Sequence, residues 1–224
     1  MSPERKTFRR IGPDQRREAM ICAMLEIIAE DGIAAATTRA VAARAGVTPG
    51  LIRHYFDSKD ALLSAAYQQH MTDLTHATCG VGQGASAAAR LVAFIEAGLR
   101  APVVSAEAVS LWAGFLTHAQ QSPQMHEVHA QTYREFRDHL QGLIADALCE
   151  AGRATSTAAL RRHAIACNAV IDGLWLEGGV LPDAFAPGEL VAIGLASIGA
   201  MLGLPLAQNA QTATQDMIQI RITP

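Results

Sequence analysis

The 224-residue chain is poor in aromatic side chains (5%) and in charge (17%), and no long segment alternates apolar with polar residues. A sheet protein needs that alternation and a supply of aromatic and β-branched residues, so the shortage excludes an all-β fold. Disorder is excluded from the other side, because half of the residues are apolar and suffice for a sizeable buried core. Several signatures of chemistry are missing as well. There is no glycine-rich phosphate loop, no G-x-S-x-G elbow and no H-E-x-x-H helix. The pair His126 and His129, one turn apart, lacks a third ligand and a water-activating base. His118, His126, His129 and His139 are therefore expected on solvent-facing helix surface, with no metal, no cofactor and no catalytic residues. The four cysteines (Cys22, Cys79, Cys149, Cys167) show no C-x-x-C spacing and read as buried free thiols of a reducing cytoplasm. No apolar segment opens the chain, so no secretory signal is expected. The uncharged stretch Leu190–Ala207 approaches a membrane span in length. However, Gly194, Ser197, Gly199 and Gly203 dilute it and Pro205 cuts it short, which predicts a buried interface helix and no membrane partner.

What remains is a helical protein. The composition favours Ala, Leu and Ile, and the apolar positions recur at helical spacing, as at Ile21, Met24, Leu25 and Ile28. About nine helices are predicted. The first runs from Pro13 to just before Gly32. A second short helix is capped by Thr37-Thr38 and ends near Ala45, where Gly46 breaks the chain. Thr48-Pro49 opens a third that runs through Tyr55 or Phe56, and Asp57-Ser58 caps a longer fourth from Lys59 towards Cys79. Residues 80–86 read as a loop. Further helices are expected near 86–99, 105–120, 122–150, 156–177 and 187–202, separated by Pro102, Pro123, Gly152 and the Gly178-Gly179 to Pro187 stretch. The final residues are Gln/Thr/Ala-rich and read as a tail, with 217–222 alternating enough to pair as a strand.

Charge is distributed unevenly. Residues 1–60 carry a net of +2 and residues 61–224 a net of −5, within an overall −3, and the first seventeen residues are strongly basic. A basic end on an acidic chain suits contact with a polyanion. The same end holds the most informative stretch, TRAVAARAGVTPGLIRHYFDSK from Thr38 to Lys59. Val41, Ala42 and Ala45 can face Val47, Ile52 and Phe56 across the Gly46 turn, which is a helix-turn-helix whose second helix enters a DNA major groove. Thr38, Arg39, Thr48, Pro49, Gly50, Arg53, His54, Tyr55 and Lys59 are the candidate DNA contacts. In this reading Arg53 addresses guanine, Thr48 and the helix-start amides a phosphate, and His54, Tyr55 and Lys59 flanking phosphates. Arg9 and Arg10 are expected to enter an adjacent minor groove.

The stretch TTRAVAARAGVTPGLIRHYFDSKDALLSAAY resembles the signature of the TetR family: a capped second helix, A-x-x-A-G-V, a short recognition helix, H-Y-F and a capped K-D-x-L-L. Arg53 stands where that family often has Tyr. Further along, VSLWAGF and IDGLWLE are similar to the C-terminal domain of the BetI subgroup, repressors of choline-to-betaine genes. The resemblance implies an all-α homodimer, not an enzyme, whose partners are double-stranded operator DNA and a small-molecule inducer. It implies a DNA-binding domain over 1–65, a ligand-binding and dimerisation domain over 66–204 and a tail over 205–224.

For a choline-like inducer the residue types are suitable, because a quaternary ammonium has no hydrogen to donate and is held by aromatic faces beside a carboxylate. Trp112, Phe115, Tyr133 and Trp175 are candidate faces, with Asp172 and Glu177 as candidate charges. Dimerisation is expected through the helices near 156–177 and 187–202, with His163, Cys167, Leu190, Ile193, Gly194, Ser197, Ile198 and Met201 at the interface. Two readings stay open: the same regulator answering a different inducer, and a DNA-associated structural protein that answers none.

Overall fold

The computed structural model describes residues 12–78 and 86–208. Among these the chain forms nine α-helices and one 3-10 turn and no strand: α1 Pro13–Asp31, α2 Thr38–Arg44, α3 Pro49–Tyr55, α4 Lys59–Thr78, α5 Ala87–Gly98, α6 Ala106–Ala119, α7 Pro123–Glu150, α8 Thr157–Val180, the turn Pro182–Ala184, and α9 Glu189–Leu202. Arg9, Arg10, Cys79, most of the 80–86 loop and the alternating 217–222 segment lie outside the described residues.

Hydroxyl caps start most of the helices. The side-chain oxygens of Thr37, Thr48, Ser58, Ser86, Ser105, Ser122 and Ser156 each accept a hydrogen bond from the backbone N–H three residues on, at 3.0–3.4 Å. Each cap satisfies a donor that the helix leaves unpaired, worth about 1 kcal/mol. Gly46 sits at φ +66° in the α2–α3 turn, a conformation that other residues adopt only with strain.

Two cores form. The first gathers Met20, Ile21, Met24 and Ile28 of α1 with Val41, Ile52, Phe56, Leu63 and Tyr67, and it is completed by Leu111, Phe115 and Ala119 of α6 and Met125 of α7. The second packs α5, α7, α8 and α9 around Leu91, Phe94, Leu140, Ile144, Ile171 and Ile198. The helix α4 runs without a break across the expected 65/66 boundary.

Three expectations need correction. Gly178 and Gly179 do not break the chain; they lie inside α8, buried. A Cβ on Gly178 would stand 2.4 Å from Leu190 and one on Gly179 2.4 Å from Val109, so these glycines serve close helix approach. Of the described thiols only Cys167 is buried, while Cys22 and Cys149 are exposed. His126 and His139 are exposed, but His129 is half-buried, its Nδ1 2.5 Å from the Tyr67 hydroxyl, and His118 Nε2 is covered. Among the described residues no helix is long and apolar enough to cross a membrane.

Candidate nucleic-acid interface and ligand cage

The short helix α3 cannot stand alone at seven residues. Ile52 and Phe56 anchor it in the first core, and Arg17 of α1 covers the Phe56 ring at 5.3 Å. With that face buried, Thr48, Pro49, Gly50, Arg53 and His54 are exposed, and Lys59 is exposed at the start of α4. Arg39 is exposed on α2 and Thr38 half-buried beside its cap Thr37. Tyr55 is half-buried, edge-on to His54 with ring centroids 5.5 Å apart. The Thr48 hydroxyl accepts from Leu51 N–H, which leaves its own proton for an outside acceptor.

Arg44 is committed elsewhere. Its guanidinium forms a two-pronged pair with Glu30 (2.7 and 3.1 Å) and reaches Glu26 at 3.4 Å, latching α2 to α1. The same contact holds the Glu30 carboxyl below the usual carboxylate range and raises Arg44. Arg53, in contrast, forms no ion pair among the described residues and is free to meet an outside acceptor.

The second candidate site is a cavity of about 80 Å³ walled by α4, α6, α7 and α8. It is smaller than the ~300 Å³ typical of sites for drug-sized molecules and suits a small guest. Trp112 of α6 and Trp175 of α8 stand edge to face, 82° between planes and 5.8 Å between centroids. The Trp175 indole donates to the Val103 carbonyl at 2.8 Å, which fixes the ring. Tyr133 of α7 and Asp172, one turn before Trp175 on α8, also line the cavity. The Tyr133 hydroxyl donates to Asp172 Oδ2, and Asn168 Nδ2 donates to the same oxygen at 2.8 Å and to the Tyr133 oxygen at 2.9 Å. Burial pushes the Asp172 carboxyl above its ordinary range, while the two donors favour its ionised form. Burial, then the Asp172 carboxylate, push Tyr133 up to about 12, so it stays a neutral donor.

Four of the six expected cage residues thus come together, and two do not. Phe115 is displaced around α6 from Trp112 and is buried in the first core, its ring tilted against Tyr67 with centroids 4.6 Å apart. Glu177, five residues beyond Asp172 and so on another face of α8, is exposed. Met71, Leu74, Gly98, Val103, Phe136 and Ile171 complete the walls. Helical spacing from Asp172 and Tyr133 could have found Asn168 and Phe136; nothing local marks Met71, Leu74 or Val103.

On the expected interface helices, Cys167, Gly194 and Ile198 point into the protomer's own core and are unavailable to a partner; a Cβ on Gly194 would meet Leu99 at 2.4 Å. His163, Leu190 and Ser197 are half-buried. Ile193 and Met201 are exposed, joined by Ile165 and Leu176 of α8, each with about 40% of its surface open: 37% for Ile165, 38% for Met201, 40% for Ile193 and 41% for Leu176.

Comparison with known proteins finds two family profiles. One described as bacterial regulatory proteins of the tetR family matches residues 22–66, and one described as BetI-type transcriptional repressor, C-terminal, matches 87–203. The chain is 33% identical over 173 residues to the HTH-type transcriptional regulator BetI of Paraburkholderia xenovorans, covering 76% of this chain and 85% of that one. It is 32% identical over 177 residues to BetI 2 of Chromohalobacter salexigens, covering 78% and 82%. A transcriptional regulator from Pseudomonas aeruginosa superposes with TM-score 0.77 at 31% identity, over 91% of this chain and 98% of that one. A regulator from Saccharomonospora viridis, solved in complex with choline, shares the fold at TM-score 0.63 and 18% identity, over 85% and 96%.

Proposed function

This chain belongs to the TetR family of transcriptional regulators, with a BetI-type C-terminal domain, and from that premise we propose that it is a repressor released from its operator by choline or a related quaternary ammonium compound. The observation that carries the inducer is the perpendicular Trp112–Trp175 pair, which lines one small cavity together with Asp172. Two aromatic faces and one desolvated carboxylate match a cation that cannot donate hydrogen bonds. The choline-bound Saccharomonospora protein of the same fold supports the reading.

The division of labour that fits is a DNA-binding domain up to residue 65, a sensing and dimerising domain over 66–204 and a tail beyond. Arg53 reads a base edge, with Thr48, His54, Tyr55, Lys59 and Arg39 on phosphates and Arg9 and Arg10 in the minor groove. Two copies join through the outward stripes of α8 and α9, around Ile165, Leu176, Ile193 and Met201, setting the two α3 helices about 34–36 Å apart, one turn of DNA. The cage communicates with the DNA-binding half through α6, which bears Trp112 on one flank and gives Leu111 and Phe115 to the first core. Full release requires the inducer to favour the wrongly spaced dimer by about 5.5 kcal/mol.

The test is binding to the gene's own upstream DNA at about 150 mM salt, a condition that must be fixed because phosphate contacts are salt-dependent. It is run with and without choline, betaine aldehyde and betaine. Sequence-selective binding abolished by one of the three is expected. Selective binding indifferent to all three removes the inducer, and absence of selective binding removes the repressor.

A further inference from the structure

Beside the cage lies a second, wider cavity of about 370 Å³, between α1, α4, residues 102–105 and the first turns of α6. The two cavities are adjacent: Leu74 and Val103 belong to the lining of both. The charged residues of the second lining are both acidic, Asp73 of α4 and Glu107 of α6, and both are exposed. Glu107 alone would mean little, since the first turn of any helix favours an acid. Asp73 has no such reason. It accepts from the Gln69 amide at 2.8 Å, a neutral partner, and forms no ion pair among the described residues. His70, on the same wall, has its Nε2 buried without a hydrogen-bond partner. Burial lowers its pKa, Asp73 opposing, so the ring adds no positive charge near neutral pH.

We propose that this second cavity is the antechamber through which a small cation reaches the cage, guided by Asp73 and Glu107 and admitted by displacement of Leu74 and Val103. The inference rests on the cage being a cation site. Its physical basis is that a quaternary ammonium must shed water before it meets the tryptophans, and negative charge along a low-dielectric approach lowers that barrier and raises the encounter rate. Because Asp73 and Glu107 do not line the cage, they act on the passage and not on the bound state.

Trp112 and Trp175 are the only tryptophans, so stopped-flow fluorescence reports the cage directly. Choline binding is followed for the wild type, Asp73→Asn/Glu107→Gln and Val103→Ala at 20 mM and 500 mM salt. The double variant is expected to slow association several-fold at low salt and to match the wild type at high salt, where screening removes the guide. Its dissociation slows in parallel, leaving Kd within about twofold. Val103→Ala, whose backbone carbonyl still holds Trp175, is expected to speed both rates. Rates of the double variant equal to the wild type at 20 mM salt, or a change confined to dissociation, overturn the antechamber and leave the cage intact. A wild type that binds neither choline nor tetramethylammonium overturns the cage and the antechamber with it.

Discussion

Substituting Gly179 by alanine tests whether the approach of α8 to α6 is what builds the cage. The added Cβ would stand 2.4 Å from Val109 Cγ2 and 2.9 Å from the Ser105 carbonyl oxygen, and the second of these is backbone that cannot rotate away. Overpacking of this kind costs about 1–3 kcal/mol, offset in part by the ~1 kcal/mol that alanine gains over glycine inside a helix. A net loss of up to about 2 kcal/mol corresponds to a fall in Tm of up to roughly 8 °C for a chain of this length. Gly142→Ala is the internal control, because it lies inside α7, is exposed, and has nothing within 4 Å of the new Cβ. It is expected to raise Tm. Thermal denaturation must be run at one protein concentration, since association contributes to apparent stability. The cage supplies a second readout: pushing α8 from α6 separates Trp175 from Trp112, so Gly179→Ala should weaken choline binding while Gly142→Ala leaves it alone. Equal Tm shifts for the two variants, or an unchanged cage in Gly179→Ala, would refute close packing as the reason for this glycine.

Removing one cage wall by Trp112→Ala should weaken choline binding roughly 5–30-fold by calorimetry, the ~1–2 kcal/mol of a desolvated cation–π contact, and an unchanged Kd would show that the ring only fills space. Asp172→Asn should abolish most cation binding yet stabilise the free protein by ~1 kcal/mol at pH 7, because it relieves a buried carboxylate; loss of stability would contradict that sign. The sign follows from its raised pKa: the native state holds the proton more tightly than the unfolded chain, so the group favours folding only as the pH falls through its native pKa towards 3.8. His70 and His129 act oppositely, both lowered from 6.5 by burial, so unfolded chains take up protons first and Tm should drop between pH 7.5 and 5.5; a flat or rising Tm would refute neutral burial. Arg53→Ala should cost ~1–3 kcal/mol of operator affinity and relax preference at one base pair, measured on a panel of single-substitution operators, while affinity for random DNA changes little.

The reading head was legible because its signals are local. Thr48-Pro49 can hardly do other than start a helix, and Gly46 takes the positive φ that the turn demands. The cage was half legible: tryptophans are rare enough here to be noticed, and Tyr133 and Asp172 follow from the charge and faces a cation needs. Leucine and methionine fill cores everywhere, so Leu74 and Met71 carry no mark of a cavity. The glycine pair at 178–179 was misread because glycine both breaks helices and admits close neighbours, and only Val109 and Leu190, distant in sequence, decide between the two. Cys167, Gly194 and Ile198 were placed outward for a similar reason. A helix apolar all round does not disclose which stripe meets its own core.

The sharing of α6 bears on how freely such a protein can be recombined. Leu111, Phe115 and Ala119 close the core that Met20, Met24, Ile52 and Leu63 begin, and Met125 of α7 closes it further. A chimera joined at residue 65 would therefore inherit a DNA-binding half with an open flank, whose apolar floor the foreign sensor must match side chain for side chain. Grafts that carry α6 and the first turn of α7 along with the head keep the floor covered, but they import Trp112 with it. The smallest transplantable unit is consequently discontinuous in sequence, and exchange of recognition specificity is simpler through the exposed face of α3 than through exchange of whole domains.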